Sequence, residues 1–154
     1  MQRLAIVSSL ALLILGGVAN AVDPLPDRAP TVGDVLAAGG KQLDGAAFRA
    51  AFVGKTMKGM TLAGAQWEGS FDSDGTLNGT SYNAIGGHMW TRGKVMAFYG
   101  PYQVAEGGQV CYQLQWSPGT GRSNSCIFAF EWRGEHYVAM DGELETRVSK
   151  RSPR

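Results

Sequence analysis

The chain has 154 residues, 44% of them hydrophobic, with 14 Lys and Arg against 13 Asp and Glu. That is enough apolar material for one domain with one core. Charges this evenly balanced create no long-range field to gather phosphates, so nucleic-acid binding is not expected.

The chain opens with a charged start, Met1-Gln2-Arg3, and an apolar run from Leu4 to Leu15. Gly16-Gly17-Val18 then leads into the small-x-small exit Ala19-Asn20-Ala21. This is the pattern of a secretory signal peptide over residues 1–21. The apolar run is short of the roughly 20 residues that span a bilayer, so no membrane span is expected. No Cys follows the exit, so an acyl anchor has no attachment point. The mature protein is expected to begin at Val22 and to be periplasmic or secreted.

Residues 22–42 read as a leader and a short helix. Pro24, Pro26 and Pro30 keep the leader extended. Thr31 followed by Asp34 has capping-box spacing and predicts a helix through Ala38, stopped by Gly39-Gly40. A second helix starts at Asp44, with Leu43 and Phe48 spaced as a hydrophobic staple. Ala47, Phe48, Ala51 and Phe52 share its apolar face, and Gly54 ends it.

From Lys55 the period changes to two. In the segment 65–71, Ala65, Trp67, Gly69 and Phe71 face one way and Gln66, Glu68 and Ser70 the other. Asp72-Ser73-Asp74-Gly75 forms a turn, and Thr76 to Tyr82 returns as the partner strand. Further strands are expected over 88–92, 94–99, 110–116, 125–132 and 135–140. Gly100-Pro101 is expected to start a longer loop, and 143–154 is expected to be a basic, frayed tail. The domain is thus 43–142: mainly β, a small antiparallel barrel or sandwich of about seven or eight strands after one or two short helices. No gap is long enough for a crossover helix, which makes the sheet antiparallel.

Cys111 and Cys126 are the only cysteines. In an oxidising compartment they are expected to form a disulfide that closes a loop of about 16 residues, worth roughly 3 kcal/mol. The pattern contains a conflict. Cys111 lies opposite the apolar face Val110, Tyr112, Leu114 and Trp116, whereas Cys126 shares a side with Phe128, Phe130 and Trp132. A bridge between neighbouring strands needs both Cβ atoms on one face. Either one Cys lies past its strand end, or a bulge changes the parity, or both faces are partly covered; the three stay open.

Asp72-Ser-Asp-Gly-Thr76 has half of a calcium loop, but the later Glu on an exiting helix is missing, so a hairpin turn is expected. His88 and His136, with Glu135 or Glu131, offer a metal or acid–base set only if the fold unites them. There is no G-x-S-x-G elbow, and both thiols are expected to be oxidised. No catalytic residue, metal or cofactor is therefore assigned. The aromatic residues are more informative. Trp67, Trp90, Tyr99, Tyr112 and Trp116 are the candidate ligand-binding set, with Trp67, Trp90 and Tyr99 expected near a barrel mouth.

The run Phe48-Arg-Ala-Ala-Phe-Val-Gly-Lys-Thr56, the hairpin Phe71-Asp-Ser-Asp-Gly-Thr76 with Gly79, Gly87-His-Met-Trp90, Cys111 with Trp116, and Cys126 with Tyr137 form a set. Together they resemble an uncharacterised family of exported alphaproteobacterial small β-proteins over Leu43 to Gly142. The chain departs from that pattern in a longer Trp90–Cys111 segment and a wider Cys111–Trp116 spacing. The family has no established activity, so the resemblance implies export and fold but transfers no catalytic residue.

The expected function is a non-enzymatic, exported binding or interaction protein whose partner is a small ligand or an envelope protein. One alternative is a lysozyme- or protease-inhibitor-like protein presenting the 100–108 or 117–124 loop. Another is a hydrolase or metal-dependent enzyme using His88 and His136. A cavity larger than about 300 Å³ lined by the tryptophans would favour the ligand carrier.

Overall fold

The computed structural model describes residues 25, 29–61, 64–82, 85–86, 89–90, 95–118 and 121–154, with backbone alone for 85–86 and 89–90. The export segment, most of the Pro-rich leader and His88 lie outside the described residues.

Both helices form where their caps predict. Helix α1 (Val32–Ala37) carries the full Thr31–Asp34 capping box, and Gly39 leaves it with a φ of 85°. Helix α2 (Gly45–Phe52) is capped by the Asp44 carboxylate, which accepts from the Ala47 N–H at 2.8 Å. Between them lies the short strand β1 (Lys41–Gln42).

The strands then run in order: β2 (Thr56–Met60), β3 (Gln66–Phe71), β4 (Thr76–Tyr82), β5 (Ile85–Gly86), β6 (Met89–Trp90), β7 (Val95–Val104), β8 (Gln109–Ser117), β9 (Arg122–Trp132), β10 (Glu135–Ala139) and β11 (Ser149–Pro153). Apart from the separate β5–β6 ribbon, each strand from β2 onward pairs antiparallel with the next. The last, β11, pairs back onto β2. The result is a closed antiparallel eight-stranded barrel, with β1 as an extra strand beside β9.

Short antiparallel strands with glycine turns close into a barrel because closure leaves no open sheet edge. Inside, Met57, Phe71, Leu77, Phe98, Val110, Leu114, Ile127, Ala129 and Val138 form the core. Helix α2 plugs one end. Its Phe48 and Phe52 rings stack at 4.6 Å, and Phe71 meets them edge-on at 5.2 and 6.1 Å.

Glycine at two strand positions lets this packing close. A Cβ on Gly79 would lie 2.6 Å from the Phe98 ring and 2.1 Å from the Glu68 carbonyl oxygen. One on Gly100 would lie 1.8 Å from the Gln113 carbonyl oxygen. Gly100 is therefore part of β7 rather than the start of a loop. The strand stays paired with β4 through Gly100 and Pro101 and rejoins β8 at Tyr102. Only the tight turn 105–108 separates β7 from β8, and in it the Gly108 N–H donates to the Ala105 carbonyl.

The cysteine conflict resolves through a second layer. The inward residues of β9 are Ser125, Ile127 and Ala129, opposite Tyr112 and Val110. Cys126, Phe128, Phe130 and Trp132 face outward, as does Cys111, and Cys111 pairs directly with Cys126 across the ladder. The bridge forms there at a Cα–Cα distance of 4.0 Å. The outward aromatic residues are not left in water. Val32 and Val35 of α1 pack with Phe130, Tyr137, Ala139 and Val148 in a second core. The Trp132 indole N–H donates to the Ala38 carbonyl at 2.9 Å. Both faces of β9 are covered, so its apolar pattern points both ways.

The segment 143–154 is not a frayed tail. Thr31 and Arg147 form a β-bridge, Val148 is buried, and residues 149–153 are the strand that closes the barrel. Its inward members include Ser149 and Arg151, so no apolar alternation marks it in the sequence.

Removing both sulfurs as Cys111→Ala/Cys126→Ala is expected to lower the unfolding free energy by about 3 kcal/mol, read from urea titrations at constant slope. Ending the chain at Val148 removes β11 and opens the edges of β2 and β10. Cooperative thermal unfolding and the near-ultraviolet dichroism of the packed aromatics should both disappear. A truncated chain that unfolds cooperatively within a few degrees of the intact one would show that closure is dispensable.

Candidate functional site

A cavity of about 140 Å³ lies inside the barrel on the far side of the α2 plug. Phe52 and Phe71 form its floor, and Leu77, Leu114, Ile127 and Val138 form its walls. At the opposite end it is bounded by Thr61, Met140 and Ser149, of which Met140 is 53% exposed, so the cavity runs to the surface there. Trp67, Tyr112 and Arg151 supply its functional groups.

Barrel closure positions these three. Arg151 of β11 lies in register with Gly59 of β2, and Gly59 lies in register with Trp67 of β3. A Cβ on Gly59 would sit 2.6 Å from Arg151 Nη1. Because Gly59 has none, the guanidinium extends across β2 and rests over the Trp67 indole, 5.0 Å from the ring centroid. Nη1 donates to the carbonyls of Lys150 at 3.0 Å and Met60 at 3.3 Å. Trp67 in turn stacks on Phe98 at 5.9 Å, and Phe98 meets Trp116 at 5.3 Å. A cation and three rings thus run around the barrel wall.

Arg151 is half-buried by surface area, and its charged end is partly desolvated. Burial pulls the guanidinium down to about 10, against an upward pull from Tyr112. Burial likewise pushes the Tyr112 phenol up, against its hydrogen bond with Ser125 and the charge of Arg151. Arg151 remains a cation at neutral pH. Among the described residues no carboxylate lies within ion-pair distance of it; the acids nearby are engaged elsewhere. Glu68 pairs with Arg154 at 2.6 Å, and Glu135 pairs with Lys150.

Of the candidate ligand set, Trp67 and Tyr112 line the cavity. Trp116 is in the barrel interior but packs on Phe98 and donates its indole N–H to Ser123 Oγ at 3.0 Å. It is not a cavity wall. Tyr99 is on the outer surface, 53% exposed, because β7 continues in register and places it opposite Asn78 and Gln115 on the outer face. The Trp90 backbone forms β6, and its side chain lies outside the described residues. The cavity also falls below 300 Å³, and Trp67 is its only tryptophan among the described residues. Arg151 carries no signal in the sequence: it stands in a polar stretch with no period, and only closure brings it inside.

The other motifs behave as ordinary structure. Asp72–Gly75 is a turn, with the Gly75 N–H donating to the Asp72 carbonyl, Asn78 Nδ2 bonding the Asp72 carboxylate at 2.6 Å and Tyr102 O–H bonding the Asp72 carbonyl at 2.7 Å. Among the described residues no cluster of three His, Cys, Asp or Glu could hold a metal. His136 packs its ring against Phe52 at 5.2 Å. No family model, curated protein or solved structure matches the chain.

Burial holds the His136 imidazole below its ordinary value, with Glu131 opposing and Lys55 reinforcing. The unfolded chain therefore takes up this proton at a higher pH than the folded one. The contribution to stability is full above about pH 6.5 and is lost as pH falls through the lower, folded value. In His136→Gln the drop in urea midpoint between about pH 7.5 and 5 should be smaller than in the parent. Equal drops would assign the pH dependence to other groups.

Proposed function

We propose that this is an exported, non-enzymatic binding protein that holds a small apolar molecule, about the size of one aromatic ring, inside the barrel. The observation that carries the reading is the cavity of about 140 Å³ with its floor of Phe52 and Phe71 and its aliphatic walls. An apolar cavity of about 150 Å³ is known to stay dry and to accept benzene. The usual ligand pockets of about 300 Å³ and more take larger molecules, so the ligand here is correspondingly small. The polar groups at the site are a guanidinium, a phenol and hydroxyls, a set that orients a ligand rather than activates a nucleophile.

Export is supported by the signal-like segment 1–21 and the Cys111–Cys126 bridge. Among the described residues no helix is long and apolar enough to cross a membrane. The inhibitor alternative needs a projecting loop; part of 117–124 lies outside the described residues, and the 105–108 turn is tied to α2. Gly45 N–H donates to the Glu106 carbonyl at 2.9 Å, and Arg49 Nη2 to the Val104 carbonyl at 3.0 Å.

Toluene tests the cavity directly. At about ten times its Kd it should raise Tm by roughly 3–6 °C, as linkage requires for a domain of this size. Leu114→Phe, which fills the cavity from the β8 wall, should fold and lose the shift. A parent protein whose Tm and fluorescence ignore toluene would defeat the reading.

A further inference from the structure

The cation at the cavity is the feature that a purely apolar ligand leaves unexplained. An arginine offers five N–H donors in a planar fork. In Arg151, among the described residues, only Nη1 has protein partners, the two carbonyls of Lys150 and Met60. The donors on Nε and Nη2 have none there, and neither atom is sealed away from solvent. The outer edge of the fork is therefore unused at a cavity that the side chain itself lines. Its position is held from behind by the Trp67 face and from the side by two backbone carbonyls, so little freedom remains to be lost on binding.

A partly desolvated charge without a counter-ion is unfavourable, and proteins ordinarily pair such a group. The barrel does the opposite. The carboxylates on these strands are outside and matched to other cations, Glu68 to Arg154 and Glu135 to Lys150. Inside, Arg151 shares the cavity lining with the Tyr112 phenol, itself a donor. Beyond them the walls are apolar. A planar two-oxygen anion fits an Arg fork in parallel bonds, and a phenol adds a third donor.

We infer that the cavity takes a small organic monoanion, an aryl or short branched carboxylic acid, whose apolar body lies among Leu77, Leu114, Ile127 and Val138 and whose carboxylate meets Arg151 and Tyr112. This rests on the reading of the cavity as a ligand site and adds the chemical class of the ligand. Long-chain acids are excluded, because the volume holds one ring and not an extended tail.

Benzoate, benzamide and toluene separate the possibilities by calorimetric titration of the purified protein at pH 7. Benzoate should bind about 10- to 100-fold tighter than benzamide, which has the same shape and no charge. Arg151→Met should weaken benzoate by a similar factor and leave toluene within about threefold. Arg151→Lys, which keeps the charge and loses the fork, should fall between. If Arg151→Met does not fold, Tyr112→Phe and the benzoate–benzamide ratio in the parent protein carry the test. Toluene bound with benzoate no tighter than benzamide would overturn the anion inference and leave the cavity reading standing. Failure of all three to bind would overturn both. Benzoate affinity unchanged in Arg151→Met would overturn the anion inference too, and assign Arg151 a purely structural place on Trp67.

Discussion

The pairing of the last strand with the first strand of the barrel is the contact on which the rest depends. When β11 meets β2, the open edges of both are removed and the sheet becomes a cylinder with an inside. The same register places Arg151, Gly59 and Trp67 side by side. Gly59 is the space through which the guanidinium reaches the indole. A Cβ at that position would also lie 2.3 Å from the Lys150 carbonyl oxygen, so the close approach of the two strands and the placement of the cation have one steric cause.

The barrel is filled unevenly. Toward α2 the interior is solid, with Phe48, Phe52 and Phe71 packed edge and face and Tyr102 meeting Phe71 at 5.1 Å. Toward the other end the aromatic residues turn sideways and line the wall from Trp67 through Phe98 to Trp116. Phe98 can lie there only because Gly79 has no side chain. Between the Phe52–Phe71 floor and that end lies the cavity. It is too small for an ordinary cofactor and well shaped for a ring.

Charge is distributed to the same effect. The outer face holds matched pairs, which are screened and contribute little individually. At the cavity, among the described residues, the lining holds the Arg151 cation and the Tyr112 phenol. Low local polarity strengthens whatever that cation contacts, and it does so most where water is displaced by the contacting group itself. Tyr137 illustrates the contrast on the outer layer. Its phenol is pushed up to about 12, first by burial and then by its hydrogen bond to Glu135, and it serves only to tie the second core to the barrel rim.

Local rules made much of the architecture legible. Capping at Thr31 and Asp44, the Asp72–Gly75 turn and the alternation around Trp67 and Tyr112 each act over a few residues, so composition and spacing suffice to read them. The antiparallel barrel-or-sandwich class, the early helices and the paired cysteines came from those rules. Local rules do not encode which face of a strand is covered or which strand closes the sheet. Phe128, Phe130 and Trp132 read as an inner face until α1 is laid over them, and that depends on contacts nearly a hundred residues apart in the chain. Ser149 and Arg151 read as a solvated tail because their environment, not their polarity, makes them interior. Strand type is set by neighbours in sequence; inside and outside are set by neighbours in space, and the candidate site exists only in the second sense.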